Sequence, residues 1–233
     1  MTITCIEDLK ELYKKRVPRM FYDYAESGSW TESTFRDNEA AFSRIKLRQK
    51  ILVDMEGRNL STKMIGEDVA MPVALAPTGL TGMQYPDGEI HAARAAEKLG
   101  VPFCLSTMSV CSIEDVAQNT TRPFWFQLYV MKDKDYISRL IQRAKDAGCS
   151  ALVLTLDLQI MGQRHKDITN GLSTPPKPTL TNPINIATKP RRASGMVGTK
   201  RRNFGKLVGQ VKGLDNQTNP APWTVRRFER TPA

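Results

Sequence analysis

A chain of 233 residues, 40% hydrophobic and 25% charged, has an ordinary globular mix and the length for one large domain or two small ones. The formal net charge of +10 is confined to the last third: residues 1–162 carry 20 Lys/Arg against 21 Asp/Glu, and residues 163–233 carry 14 against 3. No apolar run approaches the ~18 residues of a membrane-spanning helix, and the acids at Glu7 and Asp8 argue against a secretory signal.

Residues 6–16 have helical apolar spacing at Ile6, Leu9, Leu12 and Tyr13. Pro18 restarts a second helix through Met20, Phe21 and Tyr24, which Ser27-Gly28-Ser29 breaks. A third helix is expected from Thr31 to Ile45, with Thr31 as N-cap and Glu32 in its first turn. Lys46 to Lys63 reads as short strands around a turn at Gly57. Val73 to Ala76 is a buried-strand run ending at Pro77, followed by a helix over Glu89–Leu99 that Gly100 stops. Phe103–Leu105 is a second strand, and Ser112 caps a short helix over Ile113–Gln118. Phe124–Val130 is a third strand, with Trp125, Gln127 and Tyr129 on one face and Phe124, Phe126 and Leu128 on the other. Asp133–Ala147 is a helix ended by Gly148, and Ala151–Leu156 a fourth strand. Residues 172–222 are rich in Pro, Gly, Asn and Thr and read as a long loop.

Each of these four strands ends in a polar cluster: Pro77-Thr78-Gly79, Ser106-Thr107, Gln127-Leu128-Tyr129 and Thr155-Leu156-Asp157. The lead residues are 29, 21 and 28 apart. Polar groups gathered at the C-terminal ends of strands that alternate with helices are the pattern of parallel βα units. A closed barrel takes eight units and about 250 residues; about four are visible here. The implied organisation is an N-terminal helical segment with short strands (1–72), the first half of a β/α barrel (73–171), a basic loop (172–222) and an aberrant tail (223–233).

Cys5, Cys104, Cys111 and Cys149 fit no CxxC pair and no metal finger, so no metal site is expected. Scattered thiols point to a reducing, cytoplasmic setting. Between Lys189 and Lys212 stand eight basic residues and no acid. Met196, Val197, Phe204, Leu207 and Val208 interleave with that charge, as in segments that lie on anionic lipid; a solvated basic loop is the plainer alternative. No nucleic-acid-binding fold accompanies the charge, so nucleic acid is not an expected partner.

The segments Tyr22-Asp23-Tyr24, APTG, LSTMS, FWFQLYV, LTLD and GQRHKDITNG together resemble the FMN-dependent α-hydroxy-acid dehydrogenases, a family of flavin (β/α)₈ barrels. The resemblance runs from about Thr4 to Thr218. STMSVCSIEDVA, GQRHKD and PRRASGMVGTKRRNFG are most similar to the bacterial respiratory L-lactate dehydrogenases within it.

That resemblance implies oxidation of L-lactate, or a similar L-2-hydroxy acid, to the 2-oxo acid with FMN as first acceptor. Pro77, Thr78, Gly79, Ser106, Gln127 and Thr155 would hold the flavin; Gly79 would allow close backbone approach, and the side chains supply amide and hydroxyl partners. At each single position, a Ser or Thr that merely caps the next helix is the plain alternative. Arg164 matches the family's carboxylate-binding position, where a guanidinium fork suits the acid. Tyr24 and Tyr129 match its substrate-side tyrosines, against the alternative of amphipathic core tyrosines. A quinone and oxygen are both suitable electron acceptors, and the basic loop favours a quinone at the inner face of the cell membrane.

Asp157 matches the aspartate that orients the family's catalytic histidine. That histidine sits in an SNHGGRQ segment with no counterpart here; His165 and His91 do not occupy its place. The family's phosphate-binding segments, flavin-contacting lysine and second substrate arginine also have no counterpart. WTVRRFERTPA (223–233) departs from the family pattern. The expectation is therefore a truncated chain, through a frameshift, a premature stop or an early-ended gene prediction, with little or no turnover alone. The competing expectation is a non-enzymatic fragment that only adheres to anionic membranes. A half barrel leaves a parallel edge open, which implies instability or pairing in a homo-oligomer.

Overall fold

The computed structural model describes residues 2–131, 133–156, 162–172 and 181–201. Helix α1 (Ile6–Arg16) begins at Cys5, where the Asp8 carboxylate accepts the backbone N–H groups of Thr4 and Cys5 at 2.7 and 3.3 Å. Glu7 and Asp8 in the first turn, and Lys14, Lys15 and Arg16 in the last, complement the helix dipole. Helix α2 (Arg19–Ala25) follows Pro18 directly.

Helix α3 (Ser33–Arg44) starts one residue later than Thr31 as N-cap would set it. Glu32, not Thr31, is the boundary residue, with a left-handed φ of 57°. Its carboxylate turns back to the Gly28 N–H at 3.3 Å and to Lys166 at 3.2 Å. No side-chain cap bond closes the start of this helix.

Of the span Lys46–Lys63, expected to form short strands, only Thr62 and Lys63 at its end do so. They open a hairpin, with β1 (Thr62–Met64) antiparallel to β2 (Glu67–Val69). Its two turn residues, Ile65 and Gly66, both have positive φ (50° and 81°), the geometry that matches the twist of paired strands. Gly57 also has a positive φ, but Leu47, Ile51 and Leu52 around it are exposed, so no apolar face holds a ladder there.

Val73–Ala76 also forms less than expected: one parallel bridge, Leu75 to Phe103. Helix α4 (Thr81–Gln84) and helix α5 (Gly88–Leu99) follow, the latter closed by Gly100 at φ 69°. Then come β3 (Cys104–Leu105), α6 (Ile113–Ala117), β4 (Trp125–Tyr129), α7 (Lys134–Asp146) and β5 (Ala151–Thr155). Ser112 and Asp115 form a reciprocal cap on α6, and Asp133 Oδ1 accepts the Tyr136 N–H at 2.9 Å to cap α7.

Strands β3, β4 and β5 pair in parallel in that order, with Leu105 opposite Phe126 and Leu128 opposite Leu154. Helices α5, α6 and α7 cover one face. Phe124, Phe126 and Leu128 point into this layer with Leu105, Ile113, Val116, Tyr136 and Leu140, as the strand alternation predicts. Leu152 and Leu154 share that side of β5 yet remain 46% and 39% exposed; among the described residues, no helix covers them. The described sheet is thus an open arc of a β/α barrel. None of the described helices is long and apolar enough to cross a membrane.

Helix α8 (His165–Thr169) returns to the N-terminal helices, with the Trp30 N–H on the Gln163 carbonyl at 2.8 Å and Asn170 Nδ2 on Asp23 Oδ2 at 2.8 Å. The expected loop over 172–222 contains two further helices, α9 (Thr181–Ala187) and α10 (Pro190–Gly198). They are short and Pro/Gly-rich, so tertiary anchors stabilise them rather than periodicity. Lys189 Nζ donates to the Lys15 carbonyl at 2.7 Å, Arg192 Nε to the Met83 carbonyl at 2.9 Å, and Arg201 Nε to Asp115 Oδ1 at 2.7 Å. Residues 202–233, with the rest of the basic segment and the tail, lie outside the described residues.

Candidate functional site

The C-terminal ends of β3, β4 and β5 carry a hydrogen-bonded polar row. Gln127 is 1% exposed. Its Oε1 accepts from Ser106 Oγ at 3.2 Å and from the Thr107 N–H at 3.1 Å, and its Nε2 donates to Thr155 Oγ1 at 2.6 Å. Because the Thr107 N–H can only donate, it fixes which end of the Gln127 amide faces β3. Thr155 pairs with Tyr129, one pleat beyond the Gln127–Val153 pair, and the length of the glutamine side chain spans the offset. Three residues singled out from three separate βα units therefore form one network.

Thr107, a support that sequence reasoning did not rank as a site residue, locks the row. Its Oγ1 donates to the Gln127 carbonyl at 2.6 Å and accepts the Tyr129 N–H at 3.1 Å, extending β3–β4 pairing past Leu105. The signal was its place beside Ser106 at a strand end. Glu89, also missed, is buried, and its Oε1 accepts the N–H groups of Gly82 and Val110 at 3.0 and 2.9 Å. In sequence it reads only as an acid at a helix start. In space it ties α4 to the loop after β3.

Pro77 and Thr78 lie exposed at the rim of the arc, and Gly79 is half-buried. The Leu80 N–H donates to the Met108 carbonyl at 3.1 Å, which holds this segment against the end of β3. A Cβ on Gly79 would stand 3.2 Å from Tyr24 Oη and 3.3 Å from Met108 Cβ. Tyr24 of α2 therefore reaches the strand-end cluster.

Arg164 reaches the same place from the start of α8. Its guanidinium carbon lies 4.8 Å from the centre of the Tyr24 ring. Nη2 donates to the Tyr24 carbonyl, and to the Ser27 carbonyl and Oγ at 3.0 Å each. Nε lies 2.9 Å from Asp167 Oδ2. Ser27, read in sequence only as a helix breaker, is thus a buried acceptor for the arginine. Burial pushes the Tyr24 hydroxyl above its ordinary pKa, an effect that Arg164 opposes, so the phenol stays a proton donor at neutral pH. Burial also raises the Asp167 carboxyl, with Arg164 opposing and Asp23 adding to the shift.

Tyr129 ends β4 on the Gln127 side of the sheet, half-buried. His91 packs on Tyr85 with ring centres 5.7 Å apart, and His165 meets Trp30 edge-on at 6.2 Å. Asp157 lies outside the described residues. The arrangement places neutral donors and acceptors at the strand ends, and a cation over an aromatic ring at their margin.

The sequence profile of FMN-dependent dehydrogenases matches residues 13–226. The chain belongs to that family. Two L-lactate dehydrogenases are similar to it. The one from Ectopseudomonas mendocina (strain ymp) is 45% identical over 209 residues, covering 89% of this chain and 55% of that protein. The one from Acinetobacter baylyi is 40% identical over 233 residues, covering 98% and 60%. Among solved structures, the monotopic membrane protein (S)-mandelate dehydrogenase superposes with a TM-score of 0.82 at 33% identity, covering 89% of this chain and 56% of that one. The chain thus spans about half the length of the curated relatives it matches. The family's cofactor is FMN, and its fold is the flavin-binding β/α barrel, of which the described residues form an arc.

Proposed function

We propose that this chain serves FMN-dependent oxidation of L-lactate, or a similar L-2-hydroxy acid, to the 2-oxo acid. The carrying observation is the meeting of Tyr24, Gly79 and Arg164, from three distant segments, at the margin of the strand ends.

The donor chemistry fits a flavin. The isoalloxazine edge needs neutral hydrogen-bond partners and close backbone approach. Ser106, Gln127 and Thr155 are neutral and already connected, and Gly79 presents backbone with no side chain of its own, next to Tyr24 and Met108. Pro77, Thr78, Gly79, Ser106, Gln127 and Thr155 would hold the group. When bound, FMN supplies the two-electron acceptor.

Arg164 would bind the substrate carboxylate. Among the described residues its Nη1 has no acceptor, so that end of the fork can meet an acid while the Nη2 hydrogen bonds to Ser27 hold the guanidinium in place. Tyr24, protonated and half-buried beside it, would donate to the same carboxylate, and Tyr129 would orient the hydroxyl from β4. Asp157 would orient a proton-abstracting base. The chain has two histidines, and His91 and His165 pack on Tyr85 and Trp30, so we infer that neither is that base. A missing general base alone costs about 10²–10⁴-fold, so turnover by this chain alone would be slight.

An anionic membrane surface with a quinone acceptor is the working location. The exposed Arg191, Lys200 and Val197 of the basic segment support it. Lys189, Arg192 and Arg201 support it less, because they bond within the protein.

The test is to purify the chain with FMN, desalt it and record its visible spectrum before and after L-lactate. A retained flavin band that L-lactate bleaches supports the reading. A colourless protein overturns the assignment of the strand-end row as a flavin site.

A further inference from the structure

Away from the strand ends, the last turn of α1, the first turn of α2 and the α9–α10 junction enclose a cleft of about 400 Å³. Lys14, Arg19, Tyr22, Asp23, Asn185 and Lys189 line it. The three cations come from three separate elements, so helix periodicity alone did not gather them.

The one carboxylate in the cleft, Asp23, pairs with Arg19 and leaves Lys14 and Lys189 without an acidic partner among the described residues. Asp23 Oδ2 already meets Arg19 Nε at 3.3 Å and accepts Asn170 Nδ2 at 2.8 Å. Lys14 has no carboxylate partner among the described residues, and its ammonium stands 6.0 Å from the centre of the Tyr22 ring. Lys189 Nζ gives one hydrogen to the Lys15 carbonyl and has two more. Asn185 Oδ1 accepts the Arg19 N–H at 2.7 Å, which holds its side chain and leaves the amide nitrogen as a donor. Like charges held around one cavity repel until an anion joins them.

We propose that this cleft binds a phosphate ester, with Lys14, Arg19 and Lys189 as charge partners and Tyr22 and Asn185 as neutral donors. The compact ammonium groups and the open end of the guanidinium suit a phosphate approached from several sides. Ile184, next to Asn185, is 68% exposed. A phosphate-bearing lipid headgroup and a free phosphate ester share the chemistry. Two of the three cations lie outside the 189–212 segment, and the site makes no use of the flavin row, so it can fail or hold independently of the redox reading.

The test uses the full chain and two probes: glycerol 3-phosphate by calorimetry, with glycerol as blank, and sedimentation with phosphatidylcholine vesicles with and without phosphatidylglycerol. Lys14→Gln/Arg19→Gln/Lys189→Gln is compared with Lys46→Gln/Arg48→Gln/Lys50→Gln, which removes equal charge from exposed positions elsewhere. The cleft variant should weaken binding about tenfold, since each exposed charge contact contributes modestly, and the control should change little. Loss on glycerol 3-phosphate assigns a free ester; loss on vesicles alone assigns a lipid headgroup. Equal losses in both variants, or no binding of either probe to the wild type, overturn the proposal. Should the triple variant not fold, Lys14→Gln on the exposed face of α1 should still cost about threefold, and no change there overturns the proposal equally.

Discussion

Gln127 Nε2 donates to Thr155 Oγ1 at 2.6 Å, and this bond joins the C-terminal ends of β4 and β5. The other end of the same amide holds β3 through Ser106 and Thr107. One side chain therefore sets the spacing of three strand ends.

Gln127→Leu keeps much of the volume and removes every partner. The buried Thr107 N–H and the two hydroxyls would then lack the amide. The expected loss is about 2–4 kcal/mol, from two or more unsatisfied buried groups. Urea unfolding checks it: the midpoint should fall with the slope unchanged. A wild-type midpoint would mean the row is not a stabilising network.

Gly79 tests the contact with Tyr24. Its φ lies outside the left-handed region, so an added methyl group acts by contact alone. Gly79→Ala should cost about 1 kcal/mol as mild overpacking. Removing the hydroxyl with Tyr24→Phe should recover part of this. The Met108 contact at 3.3 Å would prevent full recovery. A double-mutant cycle should give a coupling of about 0.5–1 kcal/mol. Strict additivity would mean that Tyr24 and Gly79 do not meet.

The βα rhythm was legible because its signals are local. Strands β3 to β5 are short, largely apolar runs that end at polar residues, and Ser112, Asp133, Gly100 and Gly148 stand where helix ends need them. The row of Ser106, Gln127 and Thr155 follows from that spacing. The hairpin was misplaced because Ile65, a β-branched residue at positive φ, carries no turn signal. Helices α9 and α10 were missed because their stability comes from Arg192 and Lys189 reaching partners more than a hundred residues away. The meeting of Tyr24, Gly79 and Arg164 had no local signal, and only family resemblance pointed to it.

Asp167 gives a pH dependence. Burial raises its carboxyl pKa in the folded chain above the ordinary value of 3.8. For a carboxyl with a raised folded pKa, the protonated form is favoured by folding. Its contribution is fully present below about pH 4 and is lost as pH rises through the raised native value. Asp167→Asn removes that dependence. The variant should gain stability relative to wild type as pH climbs above about 4, with a constant difference below. Urea unfolding from acid to neutral pH measures it. A difference that widens toward acid would mean that pairing with Arg164, not burial, dominates.

Arg192 separates anchoring from adhesion within the basic segment. It is 7% exposed, stacks its guanidinium 4.9 Å from the centre of the Phe21 ring and donates to the Met83 carbonyl. Burial lowers its pKa, yet an arginine remains charged at neutral pH. Its charge is therefore spent inside the protein, holding α10 against α2 and α4. Arg192→Met keeps an apolar contact with Phe21 and removes the donors, which should loosen α10 by about 1–3 kcal/mol. Proteolysis within residues 190–198 should then speed up about tenfold, as 1.4 kcal/mol of local opening implies. Binding to anionic vesicles should not fall with this substitution. It should fall with Arg191→Gln/Lys200→Gln, whose side chains are exposed. If Arg192→Met weakens vesicle binding as much as the exposed pair does, the segment binds as a folded unit, and its anchoring and its adhesion are one property.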